Sequence, residues 1–166
     1  MQDLQTHYTA PSGLRIGHVH LKVSNLERAL SFYRDLLGFK ITQRYGAEAV
    51  FLAADHYHHH IGLNIWYSKN QSPAPDFAPG LFHTAFLYPQ RKDLALISKR
   101  IMEQGYPLTG AADHGVSEAL YLDDPDGNGV ELYWDKPFEV WPRKSDGTLD
   151  MYTKPLDLTE LMNAVK

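Results

Sequence analysis

The stretch ALYLDDPDGNGVELYW, residues 119–134, decides how this chain is read. It divides into two strands joined by a tight turn. Leu120, Tyr121 and Leu122 suit a pleated, half-buried surface, and so do Val130, Leu132, Tyr133 and Trp134. Between them, segment 123–129 holds Pro125, Asp126, Gly127, Asn128 and Gly129, which supply the fixed and positive φ values of a turn. Side chains alternate across a strand, so Glu131 and Tyr133 share one face while Val130, Leu132 and Trp134 share the other. The second set is a core face. Glu131 then points either to solvent at a rim or into whatever the sheet encloses, and an enclosed carboxylate needs a partner.

Working outward, the same grammar appears twice. LRIGHVHLKV, residues 14–23, reads as a strand with Val19, Leu21 and Val23 on one face and His18, His20 and Lys22 on the other. Two histidines and a lysine on one face point to water or to a polar cavity. Ser24 and Asn25 are N-cap candidates. Leu26, Ala29, Leu30, Tyr33, Leu36 and Leu37 then recur at amphipathic helix spacing, and Gly38 is placed to end the helix. Strands are predicted over about 40–45, 47–53 and 58–66. Segment 67–80, YSKNQSPAPDFAPG, reads as a linker. After it comes a strand at 81–88 carrying His83, and a helix at 92–104 with Leu94, Ile97 and Ile101 on one face and Gly105 at its end. Strands follow at about 106–112, 116–123 and 130–134. The order strand, helix, three strands is therefore repeated, and each copy opens on a histidine-bearing strand. In the tail, Leu158, Leu161, Met162 and Val165 predict a short amphipathic helix. It either packs over the sheet edge or serves as a lid or partner contact.

Bulk properties narrow the function. The 166 residues fit one domain, read as module one (about 14–66), the linker 67–80, module two (about 81–137) and the tail 138–166. A net charge of -4 argues against nucleic acid as a partner. Cysteine is absent, which excludes disulfides and thiolate metal sites. Residues 1–13 read as a polar lead-in without an apolar leader segment, and no apolar run approaches membrane-spanning length, so a cytoplasmic protein is expected. Nine histidines are the unusual feature, four of them within 55–60.

His18 and His83 occupy matching places in the two halves, and Glu131 lies on the last strand of the second. If the halves pair by pseudo-twofold symmetry, all three face one cavity. Two neutral imidazoles and a carboxylate with open positions form a site diagnostic of non-haem Fe(II) oxygen chemistry, though Mn, Zn or Ni can occupy it.

IGHVHLKVSNLERALSFYRDLLGF, LFHTAFLY and LYLDDPDGNGVELYW together resemble the vicinal oxygen chelate superfamily, which holds glyoxalase I, extradiol dioxygenases, bleomycin-resistance proteins, fosfomycin-resistance enzymes and methylmalonyl-CoA epimerase. The resemblance covers about residues 14–137, and DPDGNGVELYWD looks most like the catechol 2,3-dioxygenase branch. It implies an α+β fold in which two paired βαβββ modules form a curved, barrel-like mixed sheet with helices outside. It places the shared metal ligands on His18, His83 and Glu131. It places the acid–base histidine of extradiol enzymes on His59 and their tyrosine on Tyr121. Strand alternation instead puts His58, His60, Gly62 and Asn64 on the cavity face and His59 among Ile61 and Leu63, so His60 stands as the alternative base. A further family histidine falls near Ala112, with His114 offset by two. His20, His60, Asn64 and His114 complete the candidate substrate contacts, while a solvated loop remains the other reading of the 56–60 cluster.

Departures from the family pattern refine the expectation. Glyoxalase I carries a second carboxylate ligand where this chain has Gly62, which cannot ligate. Bleomycin-binding members lack the metal triad. The expected function is a metal-dependent extradiol-type dioxygenase cleaving a catecholic or related aromatic substrate with O2, one divalent metal per site, Fe(II) first. The alternatives are a glyoxalase-like lyase or isomerase on a non-redox metal and a metal-free small-molecule binding protein. A homodimer is expected because the modules leave sheet edges and an open cavity mouth. The site then closes either within one chain or across the dimer.

Overall fold

A computed structural model describes residues 8–75 and 77–165. Residues 1–7 of the polar lead-in, residue 76 of the linker and residue 166 lie outside the described residues. In the first half the elements are β1 (Val19–Lys22), α1 (Leu26–Leu30) continuing as a π-helical turn (Ser31–Leu36), β2 (Lys40–Tyr45), β3 (Ala49–Ala53) and β4 (Ile61–Asn64). The second half runs β5 (His83–Leu87), α2 (Arg91–Glu103), β6 (Gly110–Asp113), β7 (Ser117–Asp123) and β8 (Gly129–Asp135). The tail adds β9 (Lys154–Pro155) and α3 (Leu158–Met162).

Each half places its first strand beside its fourth, then its third and second. The sheets run β1-β4-β3-β2 and β5-β8-β7-β6-β9. The first strand pairs parallel to the fourth in both, and the remaining pairs are antiparallel. The α+β class and the repeated βαβββ order thus stand, with the strands divided into two sheets. Among the described residues, β1 and β5 are each paired on one side only. Strand structure is accordingly shorter than predicted at 14–23, because residues ahead of Val19 have no neighbouring strand to complete a ladder.

Helix α1 starts where the sequence predicts, with Arg28 N–H donating to Asn25 Oδ1 at 3.0 Å. Its second half differs from the prediction. Leu37 N–H bonds to the Phe32 carbonyl five residues back, at 2.9 Å, and the wider turn buries Phe32 beside Tyr33 and Leu36. Gly38, at φ 85°, ends the helix as predicted. In α2, Leu94, Ala95, Ile97 and Ile101 are buried. They join Leu120, Leu122, Val130 and Leu132 from β7 and β8 and the buried residues of the first half in one continuous apolar core. The tail packs as one of the two readings expected. β9 adds an edge strand to β6, and α3 lies on α2 with Leu161 fully buried. Arg91 at the start of α2 is ion-paired with both Glu118 and Glu160.

The DPDGNG turn clamps the halves together. Tyr33 Oη donates to Asp124 Oδ2 at 2.9 Å with both groups buried, and Ser24 donates through its backbone N–H and its hydroxyl to Asp126 at 3.0 and 2.6 Å. Gly127 takes the positive φ expected of it, 81°. Gly129 does not take one. It is required for space instead, because a Cβ there would overlap the Phe82 carbonyl of the adjacent β5. Among the described residues no helix is long and apolar enough to cross a membrane.

Candidate active site

Alternation on β8 works as read from the sequence. Val130 and Leu132 are buried in the core, and Glu131 emerges on the opposite face with Tyr133 and Asp135. Parallel pairing sets His83 opposite Gly129 and Ala85 opposite Glu131. Antiparallel pairing sets Tyr121 opposite Glu131. Three strands thus bring His83, Glu131 and Tyr121 to one face. His83 Nε2 lies 3.0 Å from Glu131 Oε2, and Tyr121 Oη donates to Glu131 Oε1 at 3.0 Å. The Glu131 side chain is only 13% exposed, so the rim reading of this carboxylate does not hold. Burial, then the neighbouring Glu131, pushes the Tyr121 phenol up to about 12. Burial and Glu131 likewise raise Asp135.

His114 follows β6 directly. Its offset of two from Ala112 is one full pleat, so it stays on the same face of the extended chain. Its Nε2 lies 2.7 Å from Tyr121 Oη. Its Nδ1 lies 3.1 Å from Thr153 Oγ1 and 3.2 Å from the Tyr152 carbonyl. Sequence reasoning missed these two tail residues. They reach the site only because β9 pairs with β6, and a two-residue strand leaves no periodic signal. A cavity of about 440 Å³ opens on this face, lined by Phe82, His83, Thr109, His114, Tyr121 and Thr153 among others.

The first half carries its own group. His18, just ahead of β1, is exposed, and its ring centroid is 4.3 Å from that of His59. His59 also lies 4.9 Å from Phe51 and 4.5 Å from His58, with the two Nδ1 atoms of His58 and His59 2.7 Å apart. Simple alternation, which places His59 with Ile61 and Leu63, is corrected here. β4 begins only at Ile61, and the irregular segment before it turns His59 toward His18. Burial, then His18, His58, His20 and His60, lower the His59 pKa. His20 is lowered by burial and then by His18.

The remaining candidates make contacts within the first half. His60 Nδ1 accepts from the Ala54 N–H at 3.3 Å, and the His60 ring packs 5.1 Å from Tyr57. Asn64 is buried, and its Oδ1 accepts from the Trp66 N–H at 3.2 Å as the chain leaves β4. His20 lies across Gly62, where a Cβ would meet the ring at 2.9 Å.

Two groups therefore form: His83–Glu131–Tyr121–His114 in the second half, and His18–His59–His20 in the first. A cleft of about 750 Å³ touches both, lined by His18, His60, His83, Phe39 and Phe86 among others. His18 does not join His83 and Glu131 within one chain. Among the described residues no three such side chains are gathered closely enough to hold a metal.

The family model for the Glyoxalase/Bleomycin resistance protein/Dioxygenase superfamily matches residues 15–132. The chain belongs to this superfamily. It is 38% identical over 152 residues to the catechol-2,3-dioxygenase of Bacillus subtilis (strain 168), covering 89% of this chain and 50% of that protein. It is 33% identical over 124 residues to biphenyl-2,3-diol 1,2-dioxygenase 3 of Rhodococcus globerulus, covering 73% of this chain and 63% of that protein. The chain thus spans about half the length of the first relative and less than two thirds of the second. A glyoxalase/dioxygenase structure from Nostoc punctiforme shares the fold at a TM-score of 0.65 and 17% identity, over 78% of this chain and 97% of that one.

Superfamily membership raises the question of whether these side chains suit a divalent ion. Two donors each about 2.1 Å from one ion and at right angles lie about 3.0 Å apart. The Nε2 of His83 and Oε2 of Glu131 have that separation, which equally fits a direct hydrogen bond when no ion is bound. Tyr121 holds the second oxygen of Glu131 and so fixes the carboxylate plane, as outer partners of metal ligands do. The spacing of the pair suits a hard or borderline divalent ion.

Proposed function

We propose that this chain is an extradiol-type dioxygenase that cleaves a catecholic or related aromatic substrate with O2 at a single Fe(II), held by His83, Glu131 and His18. One observation carries the reading: the 3.0 Å His83–Glu131 donor pair, with Tyr121 bonded to the free carboxylate oxygen. The two dioxygenase relatives supply the reaction class. The His20 ring over Gly62 supports the same choice, because it fills the space a further carboxylate ligand needs.

When bound, Fe(II) supplies Lewis acidity toward the substrate oxygens and one-electron chemistry toward O2. The protein's own residues do the rest. His83 and Glu131 stand on neighbouring strands, so their geometry is set by the ladder rather than by a loop. Tyr121 keeps its proton at neutral pH and donates it in a hydrogen bond. His59, held below its ordinary pKa, is neutral near pH 7 and accepts a hydroxyl proton from the substrate. Phe39 and Phe86, whose rings are 5.2 Å apart, give the cleft an apolar wall for a flat ring.

The same reading includes a cytoplasmic homodimer. His18 stands apart from its partners, and among the described residues the outer edges of β1 and β5 are unpaired. Beside those edges Ile16 is 94% and Phe82 88% exposed. A second copy packed there would bring the first half of one chain against the second half of another. The test is to load the protein anaerobically with Fe(II), admit air with a panel of catechols, and follow yellow ring-fission product. If fully loaded protein cleaves none, yet binds Mn or Zn and exchanges a substrate α-proton, the lyase or isomerase alternative replaces this reading.

A further inference from the structure

We propose that Thr153, from the tail, is a positioning residue that holds His114 in its Nε2–H tautomer and so keeps the Tyr121 proton directed at Glu131 rather than at His114. The inference rests on the proposed function only in taking this sheet face as the site.

The chain of contacts leaves little freedom. Glu131 Oε1, as a carboxylate oxygen, only accepts, so the single proton of Tyr121 Oη is spent on it. His114 Nε2 faces the same phenol oxygen at 2.7 Å. That contact needs a donor, and Nε2 must carry the hydrogen. A neutral imidazole carries one N–H, which leaves Nδ1 bare. Two groups face Nδ1. The Tyr152 carbonyl at 3.2 Å cannot donate. The Thr153 hydroxyl at 3.1 Å can. With the carbonyl alone, the favourable arrangement is Nδ1–H, which is the wrong tautomer for Tyr121. Thr153 reverses that preference.

The backbone puts Thr153 there by register. Ala112 pairs with Pro155 and Asp113 with Lys154, so the next antiparallel step sets His114 opposite Thr153. The Tyr152 N–H donates to the His114 carbonyl at 3.2 Å and extends the match. Removing the hydroxyl therefore leaves the ring in place and changes only where its proton resides. The Tyr121 proton is then drawn toward the bare Nε2, and Glu131 Oε1 loses its donor.

The test uses the full chain labelled with 15N-histidine at about pH 8, above the ordinary imidazole value of about 6.5. His114 is assigned by difference with His114→Gln, and long-range proton–nitrogen correlations report which ring nitrogen is protonated. Wild type should show a protonated Nε2 and a bare Nδ1. Thr153→Val should shift the ratio toward Nδ1–H by about fivefold, the scale of one net hydrogen bond. Thr153→Ser should restore the wild-type pattern, and Thr153→Ala stands in if the valine variant does not fold. Nδ1–H in wild type, or an unchanged ratio in the hydroxyl-deleted variant, overturns the proposal. The readout needs neither metal nor substrate. Absence of ring cleavage would therefore count against the proposed function and leave this inference standing.

Discussion

Gly129→Ala isolates the link between packing and chemistry on this sheet. A Cβ at position 129 would overlap the Phe82 carbonyl and lie 3.1 Å from His83 Cβ and 3.2 Å from the Phe82 carbonyl carbon. The obstacle is mostly backbone, which cannot swing aside as a flexible side chain can. β5 must instead move away from β8 at the point where His83 pairs with Gly129. Overpacking of this kind costs about 1–3 kcal/mol, and a rigid ladder places the expected value at about 2–3 kcal/mol. The same shift pulls His83 Nε2 from its 3.0 Å approach to Glu131 Oε2, so divalent metal affinity should fall at least about tenfold. Urea unfolding gives the first quantity as a lower midpoint at unchanged slope, and isothermal titration with Mn or Zn gives the second. Gly80→Ala, with nothing within 4 Å of its Cβ, is the control and should stay within about 0.5 kcal/mol of wild type. A Gly129→Ala protein matching that control in both measurements would refute the close-approach explanation for this glycine.

Tyr33→Phe should cost about 1–2 kcal/mol in urea unfolding. It removes a buried donor to Asp124, which keeps the Asp126 N–H, the Asn128 N–H and Asn128 Nδ2 at 2.8–2.9 Å; no change would show that this hydrogen bond does not help to hold the halves together. Burial, then Asp93, pushes the Tyr88 phenol up to about 12. The folded state therefore holds this proton more tightly than the unfolded chain, whose tyrosine pKa is about 10. That stability is fully present below about pH 10 and is lost as pH rises toward 12, by about 2–3 kcal/mol, and Tyr88→Phe should flatten the fall in alkaline unfolding curves. Glu131→Ala should abolish metal binding in calorimetry, whereas His59→Ala should retain the metal and lose turnover; metal retained without Glu131 would remove it from the ligand set. Light scattering at micromolar concentration should show a dimer, and a monomer throughout would count against a site closed by a second copy.

Much of this was legible in local pattern. The alternation of Val130, Glu131 and Leu132, the Asn25 cap, the Gly38 stop and the repeated strand order all follow from periodicities that a few neighbouring residues define. The facing of Glu131 was readable for that reason. Other features depend on where distant segments meet. The π turn that buries Phe32 answers to the core it packs against. His59 reaches His18 because β4 starts late, against the alternation rule. Gly129 looked like a turn glycine and proved to be a space glycine, which only the position of Phe82 reveals. Thr153 meets His114 across 39 residues through a two-residue strand. The sequence by itself determined the strand faces, the helix limits and the chemistry-bearing side chains, because these are set by backbone geometry within one element. Only the tertiary structure decided which of those side chains meet, because register, edge pairing and the space between elements are set by packing that no single stretch encodes.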